Sequence, residues 1–242
     1  MTTTPPTFPG ATSVTLLDVY DDVAPDGLCG GSPHMHLAST ECYVVTGGRG
    51  ELHTLDPGGP RETPLSKGSV VWFTPGTIHR AVNHGGLEVL VVMGNAGLPE
   101  AGDAVMTFPP EYLADAATYR AAAQLPERAT EAERQLDADR RRDLAVQGFL
   151  DLRAAMERAD AAALESLYAA AVRLVQPLVS QWQPIWEGSV GAQAERTRAT
   201  LSALEAGDWG GLLGSGVFEA DATPGERRFG MCGRLSTYRL GA

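Results

Sequence analysis

Up to about residue 110, short apolar runs alternate with breaks rich in Gly, Pro and Asp. Within the runs, apolar and polar positions tend to alternate, the period of a strand with one buried face. The pattern predicts strands over about 14–20, 33–37, 41–46, 50–55, 69–73, 78–82 and 87–93. Gly47-Gly48-Arg49-Gly50 can supply the positive φ of a tight hairpin, and Asp56-Pro57-Gly58-Gly59-Pro60 a second, wider turn. Short strands at this spacing imply a sandwich or a barrel.

Past Pro109-Pro110 the period changes. Ala, Arg, Glu and Leu dominate at helical spacing, predicting helices over about 110–124, 131–158, 161–183 and 191–206. Thr130 with Glu133 forms a capping box. Behind it Ala145, Phe149, Leu152 and Met156 share one face. Asp160 is placed to cap the next helix, which carries Leu164, Leu167, Ala171, Leu174, Leu178 and Trp182 as an apolar stripe. Pro177 should kink it or mark a break. The last helix stops near Gly207, and a strand is expected in RLSTYRL at 234–240. The reading is therefore α+β: an all-β region over 1–110, then a mostly helical region over 111–242.

Composition narrows the function. The chain has 242 residues and a net charge of −11. It shows no basic patch, so nucleic acid is not an expected partner. No run approaches the ~18 apolar residues of a membrane span, and the polar, Pro-rich start, expected to fray, does not read as a secretory signal. Cys29, Cys42 and Cys232 are odd in number and lack paired spacing. That fits reduced thiols and a cytoplasmic setting.

The chemistry concentrates in two segments. SPHMHLASTECYVVTGGRG contains H-x-H-x4-E-x6-G through His34, His36, Glu41 and Gly48. KGSVVWFTPGTIHRAVN carries Gly68, Pro75, Gly76, His79 and Asn83. Side chains two apart on a strand share a face, so His34 and His36 can grip one ion. Glu41 lies an odd number of residues beyond His36, so residues 37–40 must loop for its carboxylate to point back. His79 follows a Pro-Gly turn that returns the chain to the sheet. Three neutral imidazoles and a carboxylate form a borderline-to-hard donor set. It suits one divalent transition metal ion, Fe(II), Mn(II), Ni(II), Co(II) or Zn(II), and leaves two octahedral positions open.

Both segments resemble the two motifs of the cupin superfamily. The first matches from His34 to Gly48. The second matches at Gly68, His79 and Asn83, with the P-x-G turn varied to Pro75-Gly76. The resemblance implies a double-stranded β-helix, or jelly-roll, barrel that holds its metal through His34, His36, Glu41 and His79. Among the activities it spans, an Fe(II)-type dioxygenase acting on a small molecule is the leading expectation. An isomerase or lyase using the same metal, or a non-catalytic binding or sensing module, stand as alternatives. The resemblance also implies a homodimer.

Tyr43, two residues past Glu41, shares the metal-facing side and is the first candidate for a catalytic acid, base or orienting group. Phe73, Met93 and either Val71 or Trp72 should line the pocket, with His53 as a further candidate wall residue or base. Arg80 should face the opposite way, towards a carboxylate, and Cys42 outward. No phosphate-binding loop and no G-x-S-x-G elbow occurs, so phosphoryl transfer and serine hydrolysis have no motif.

Overall fold

The computed structural model describes residues 8–223, 227–238 and 240. The fraying expected at the N-terminus falls largely on residues 1–7, outside them. Two antiparallel sheets face each other. One runs β10-β11-β1-β8-β3-β6 and the other β5-β4-β7-β2-β9. The strands are β1 Ser13–Val19, β2 His34–His36, β3 Glu41–Gly47, β4 Arg49–Asp56, β5 Gly59–Ser66, β6 Val70–Phe73, β7 Ile78–Asn83, β8 Glu88–Met93, β9 Ala104–Met106, β10 Arg228–Phe229 and β11 Gly233–Thr237. Alternation turns Leu17, Val19, Tyr43, Val45, Val89 and Val91 inward against Leu52, Leu65 and Ala81, filling the space between the sheets.

Two turns differ from the sequence reading. Gly47–Gly50 is not a hairpin: β3 and β4 lie in different sheets, and the chain crosses between them here. Gly48 has φ +65°, and a Cβ on it would fall 2.0 Å from the Gly86 carbonyl oxygen, so the crossing demands glycine. The true hairpin is the next turn. Asp56 pairs with Gly59 across Pro57-Gly58, and the chain runs back as β5. Pro60 and Pro64 hid this strand. It is the outermost strand of its sheet, where a missing N–H need not break a ladder bond.

The helices are α1 Ala116–Ala123, α2 Glu131–Glu157, α3 Ala161–Val175, α4 Val179–Trp186 and α5 Ala192–Glu205. The Thr130–Glu133 capping box opens α2 as expected. Asp160 sits at the N-cap of α3 but makes no side-chain cap bond. Pro177 lies in a 3-10 turn that interrupts the expected 161–183 helix. The apolar faces of α2–α4, through Phe149, Leu152, Leu164, Leu167 and Trp182, pack on Met35, Leu55, Ile78 and Val105. These four lie on the outer face of the five-stranded sheet, so the helices form a third layer.

Ala161–Glu205 is a 45-residue helical run that is long and apolar enough to cross a membrane by length and composition. In the sequence it is broken by charged residues and shows no single unbroken apolar run. Its inward side chains Leu164, Leu167, Ala171 and Trp182 are packed in the protein core. At the other end of the chain, β11 pairs with β1, Leu235 opposite Leu17, so residues from both compositional regions build one sheet. The last strand starts one residue earlier than expected; Arg239 of the expected segment lies outside the described residues.

Candidate metal centre

His34 and His36 both point into the barrel from β2, and His79 on β7 stands directly opposite His34. The turn before His79 runs Thr74–Thr77, closed by Thr77 N–H donating to the Thr74 carbonyl at 3.1 Å. Gly76 takes φ +85° there, the left-handed position of such a turn. Its N–H donates to the His36 carbonyl at 2.9 Å, tying the turn to β2. Residues 37–40 cross to the facing sheet, so Glu41 opens β3 with its carboxylate directed back, as the odd spacing required.

The donor atoms of His34, His36, Glu41 and His79 lie within 4.8 Å of one another, and all four residues are buried. Glu41 Oε2 is 3.3 Å from His36 Nε2 and 3.0 Å from His79 Nε2. Each imidazole is anchored by its other nitrogen. His34 Nδ1 meets the Ser32 carbonyl at 2.9 Å, His36 Nδ1 meets Asp103 Oδ1 at 2.7 Å, and His79 Nδ1 meets the Thr77 carbonyl at 3.1 Å. Those oxygens can only accept, so Nδ1 carries a proton in each ring and Nε2 is the nitrogen turned to the interior, a lone-pair donor whenever the ring is neutral.

The fit to a cation follows. Glu41 Oε2 and His79 Nε2 are buried with no hydrogen-bond partner. Two buried acceptors 3.0 Å apart repel unless a positive charge sits among them. Three imidazole nitrogens and a carboxylate oxygen suit a borderline divalent ion; the donor set does not choose which.

The electrostatics agree. Burial and the neighbouring His79 and His36 push the His34 pKa well below its usual value, keeping it neutral. Burial opposes charge on His36 too, but its hydrogen bond to Asp103 and the nearby Glu41 carboxylate win and lift it to about 9. Burial likewise opposes ionisation of Glu41, yet the adjacent His79 and His36 hold its carboxyl far below the usual range. Asp103 was invisible to the sequence reading. It lies 67 residues after His36 and also accepts from Ser39 N–H at 3.0 Å. A lone Asp before a three-residue strand gives no periodic signal.

Tyr43, Phe73 and Met93 are buried in the interior beside this cluster. The Phe73 ring lies 4.2 Å from that of His79, and Tyr43 packs edge-on to Phe73. The Tyr43 hydroxyl is 3.6 Å from Cys232 Sγ. Burial raises the Tyr43 pKa well above normal and pushes the Cys232 thiol up to about 12. Val71 is the second wall residue of β6; Trp72 is 70% exposed and faces out.

His53 is a correction. Its neighbours Leu52 and Thr54 take the inward positions, so His53 points to the outer face, where Nε2 meets Glu51 Oε2 at 3.1 Å. It does not line the pocket. Arg80 also faces outward, fully buried and paired with Asp26. Asn83 is a structural residue: its side chain donates to the Val19 carbonyl and accepts from Gly85 and Leu87 N–H.

A cavity of about 390 Å³ opens between the edges of β5 and β6, lined by Thr54, Arg61, Thr63, Phe73 and Thr77. Phe73 thus separates this vestibule from the histidines. A cavity of about 450 Å³ between α2, α3 and residues 107–114 lies away from the cluster.

Residues 21–93 match the family model described as the cupin domain. The chain carries a cupin domain. Strands β2 to β8, the inward histidines and Glu41 all fall in the matched span. Solved structures with this likeness include an uncharacterized Klebsiella pneumoniae protein with a double-stranded β-helix domain. It is 23% identical, with 36% of this chain and 70% of that one covered and a TM-score of 0.29. CapF, a capsular polysaccharide assembling protein of Staphylococcus aureus, is 22% identical over 34% of this chain and 22% of its own, with a TM-score of 0.25. QdtA, a sugar 3,4-ketoisomerase of Thermoanaerobacterium thermosaccharolyticum solved with TDP, is 13% identical over 38% and 87%, with a TM-score of 0.29. No curated protein matches the chain. The matched family span ends at residue 93, before the helical layer.

Proposed function

We propose that this cupin is a metal-dependent enzyme acting on a small molecule inside the barrel, of the Fe(II)-type oxygenase class. One observation carries the metal: three imidazoles locked by their Nδ1 partners aim Nε2 at a buried, unpartnered Glu41 oxygen. An Fe(II) ion held there would supply redox chemistry with O2.

The chain's own residues divide the remaining work. His34, His36, His79 and Glu41 hold the ion. Asp103 keeps the Nδ1 proton on His36 and fixes the plane of its ring. Phe73 and Met93 exclude water. Arg61 and the threonines of the vestibule meet the substrate at the mouth. Tyr43 is held protonated by burial, so it can donate a hydrogen bond but does not take a proton. Cys232 is held protonated in the same way.

The test is metal analysis of freshly purified protein beside His36→Ala, then O2 uptake by the Fe(II)-loaded protein with candidate substrates. One bound ion lost in the variant, with substrate-dependent O2 uptake, is expected. Conversion without O2 uptake would assign isomerase or lyase chemistry instead. Ligand binding unchanged by metal removal would make the domain a binding module. We also infer a homodimer, supported by the apolar side chains Trp186, Leu201 and Leu204 that stay exposed on the helical run.

A further inference from the structure

The chain has five histidines, three of them in the barrel cluster. The other two, His53 and His84, meet on the opposite side of the same sheet. His53 Nε2 lies 3.1 Å from Glu51 Oε2, and His84 Nε2 lies 3.4 Å from Glu51 Oε1. Glu51 therefore presents one oxygen to each imidazole. Glu62, directly across the ladder from His53 on β5, completes a set in which Glu51, His53 and Glu62 offer ligand atoms within 4.8 Å of one another. We propose that this outer cluster is a second metal site, binding a borderline divalent cation of the Zn(II) type through His53, Glu51 and Glu62, with His84 as the outer partner of Glu51.

Local physics favours it. His53 occupies an outward position mid-strand and is only 6% exposed. Leu55 and Ile78 fill equivalent outward positions as core residues under the helices. An imidazole at such a position needs a polar role to offset its desolvation. The His53 hydrogen bond holds the Glu51 carboxyl below its usual range, so the carboxylate is charged and ready to bind. Glu62 and His84 reach solvent, which gives an ion a way in. Imidazole donors select against Mg(II) and Ca(II).

Two cations border the cluster. Arg80, across the ladder from His53 on β7, is neutralised by Asp26. Arg153, from α2, binds Glu62 at 2.9 Å and Glu157 at 3.0 Å. Arg153 is the competitor: a metal at this site must take Glu62 from it. Occupancy would thus loosen one tie between α2 and the sheet.

The experiment is Zn(II) titration against a chromogenic chelator with the full chain. The wild type should bind two equivalents and His53→Ala one. In the His36→Ala/His79→Ala background, one equivalent should remain. There, His53→Ala should weaken it at least as much as the ~10-fold that loss of an outer partner costs, and Arg153→Ala should tighten it. A single equivalent in the wild type that His53→Ala leaves untouched would overturn the proposal. So would a folded double variant that binds no Zn(II). A single equivalent removed by His53→Ala would support the outer site while counting against the barrel one, so the two readings fail separately.

Discussion

His36 and Asp103 stand 2.7 Å apart inside the barrel wall, and this contact joins a metal-facing ring to a carboxylate with no exposed surface. Asp103 also accepts the Ser39 N–H, so it fixes both the ring and the loop leading to Glu41. Asp103→Asn keeps the shape and removes the charge. It should lower metal affinity by about 10- to 100-fold with little change in the circular dichroism spectrum. Unchanged affinity in competitive chelator titration would dismiss this role.

The same contact sets a pH dependence in the metal-free protein. His36 is raised to about 9 in the folded state, against 6.5 for an unperturbed imidazole. Its stabilising contribution is therefore complete below about 6.5 and is lost as pH rises to about 9. The Tm of chelator-treated protein should fall across that window and flatten in Asp103→Asn. Metal binding should strengthen over the same range, because the ion displaces that proton. His34, with its lowered pKa, acts below 6.5 and in the opposite sense. A Tm that climbs between pH 6.5 and 9 would contradict the assignment.

Gly76→Ala should disturb the site through the backbone alone. There is room for a methyl, since the nearest atom to an added Cβ is the Tyr168 hydroxyl at 3.9 Å, but φ is +85°. The left-handed conformation costs roughly 1–2 kcal/mol for a residue with a Cβ. Denaturant unfolding should show that loss, and the displaced His79 should weaken metal binding. Full retention of both would show that the turn tolerates the strain.

Phe73→Ala should open the vestibule onto His79. Removing a buried Phe costs about 3 kcal/mol or more, so the variant should melt earlier. The sharper readout is kinetic: bound metal should transfer to a chelator faster than in the wild type. An identical transfer rate would mean that metal leaves by another route.

Thr130→Ala serves as a remote control. It deletes the capping box of α2 and should cost ~1 kcal/mol without altering metal stoichiometry, measured on the same preparations.

Sequence pattern alone carried much of the site. His34, His36 and Glu41 obey strand parity plus one loop, and the Pro75-Gly76 turn announces His79. What escaped has identifiable causes. Pro60 and Pro64 masked an edge strand. Glycines at 47–50 look the same whether a chain reverses within a sheet or crosses to another. His53 reads as a wall residue until Leu52 is seen to take the inward position on β4. Asp103 depends on a contact across 67 residues that no local spacing encodes. The third layer was legible as helices, but which sheet face they cover depends on Met35, Leu55, Ile78 and Val105. The first three read as ordinary strand residues until both faces of that sheet are known, and Val105 lies on β9, a strand the sequence pattern does not mark.

The partnership of Leu17 with Leu235 bears on how the molecule is made. During synthesis β1 emerges long before β11, so one flank of the sheet carrying Glu41 waits unpaired while the intervening helices, whose contacts are local and quick to form, assemble. A nascent chain in that state offers an open backbone ladder, the kind of template that neighbouring chains can join.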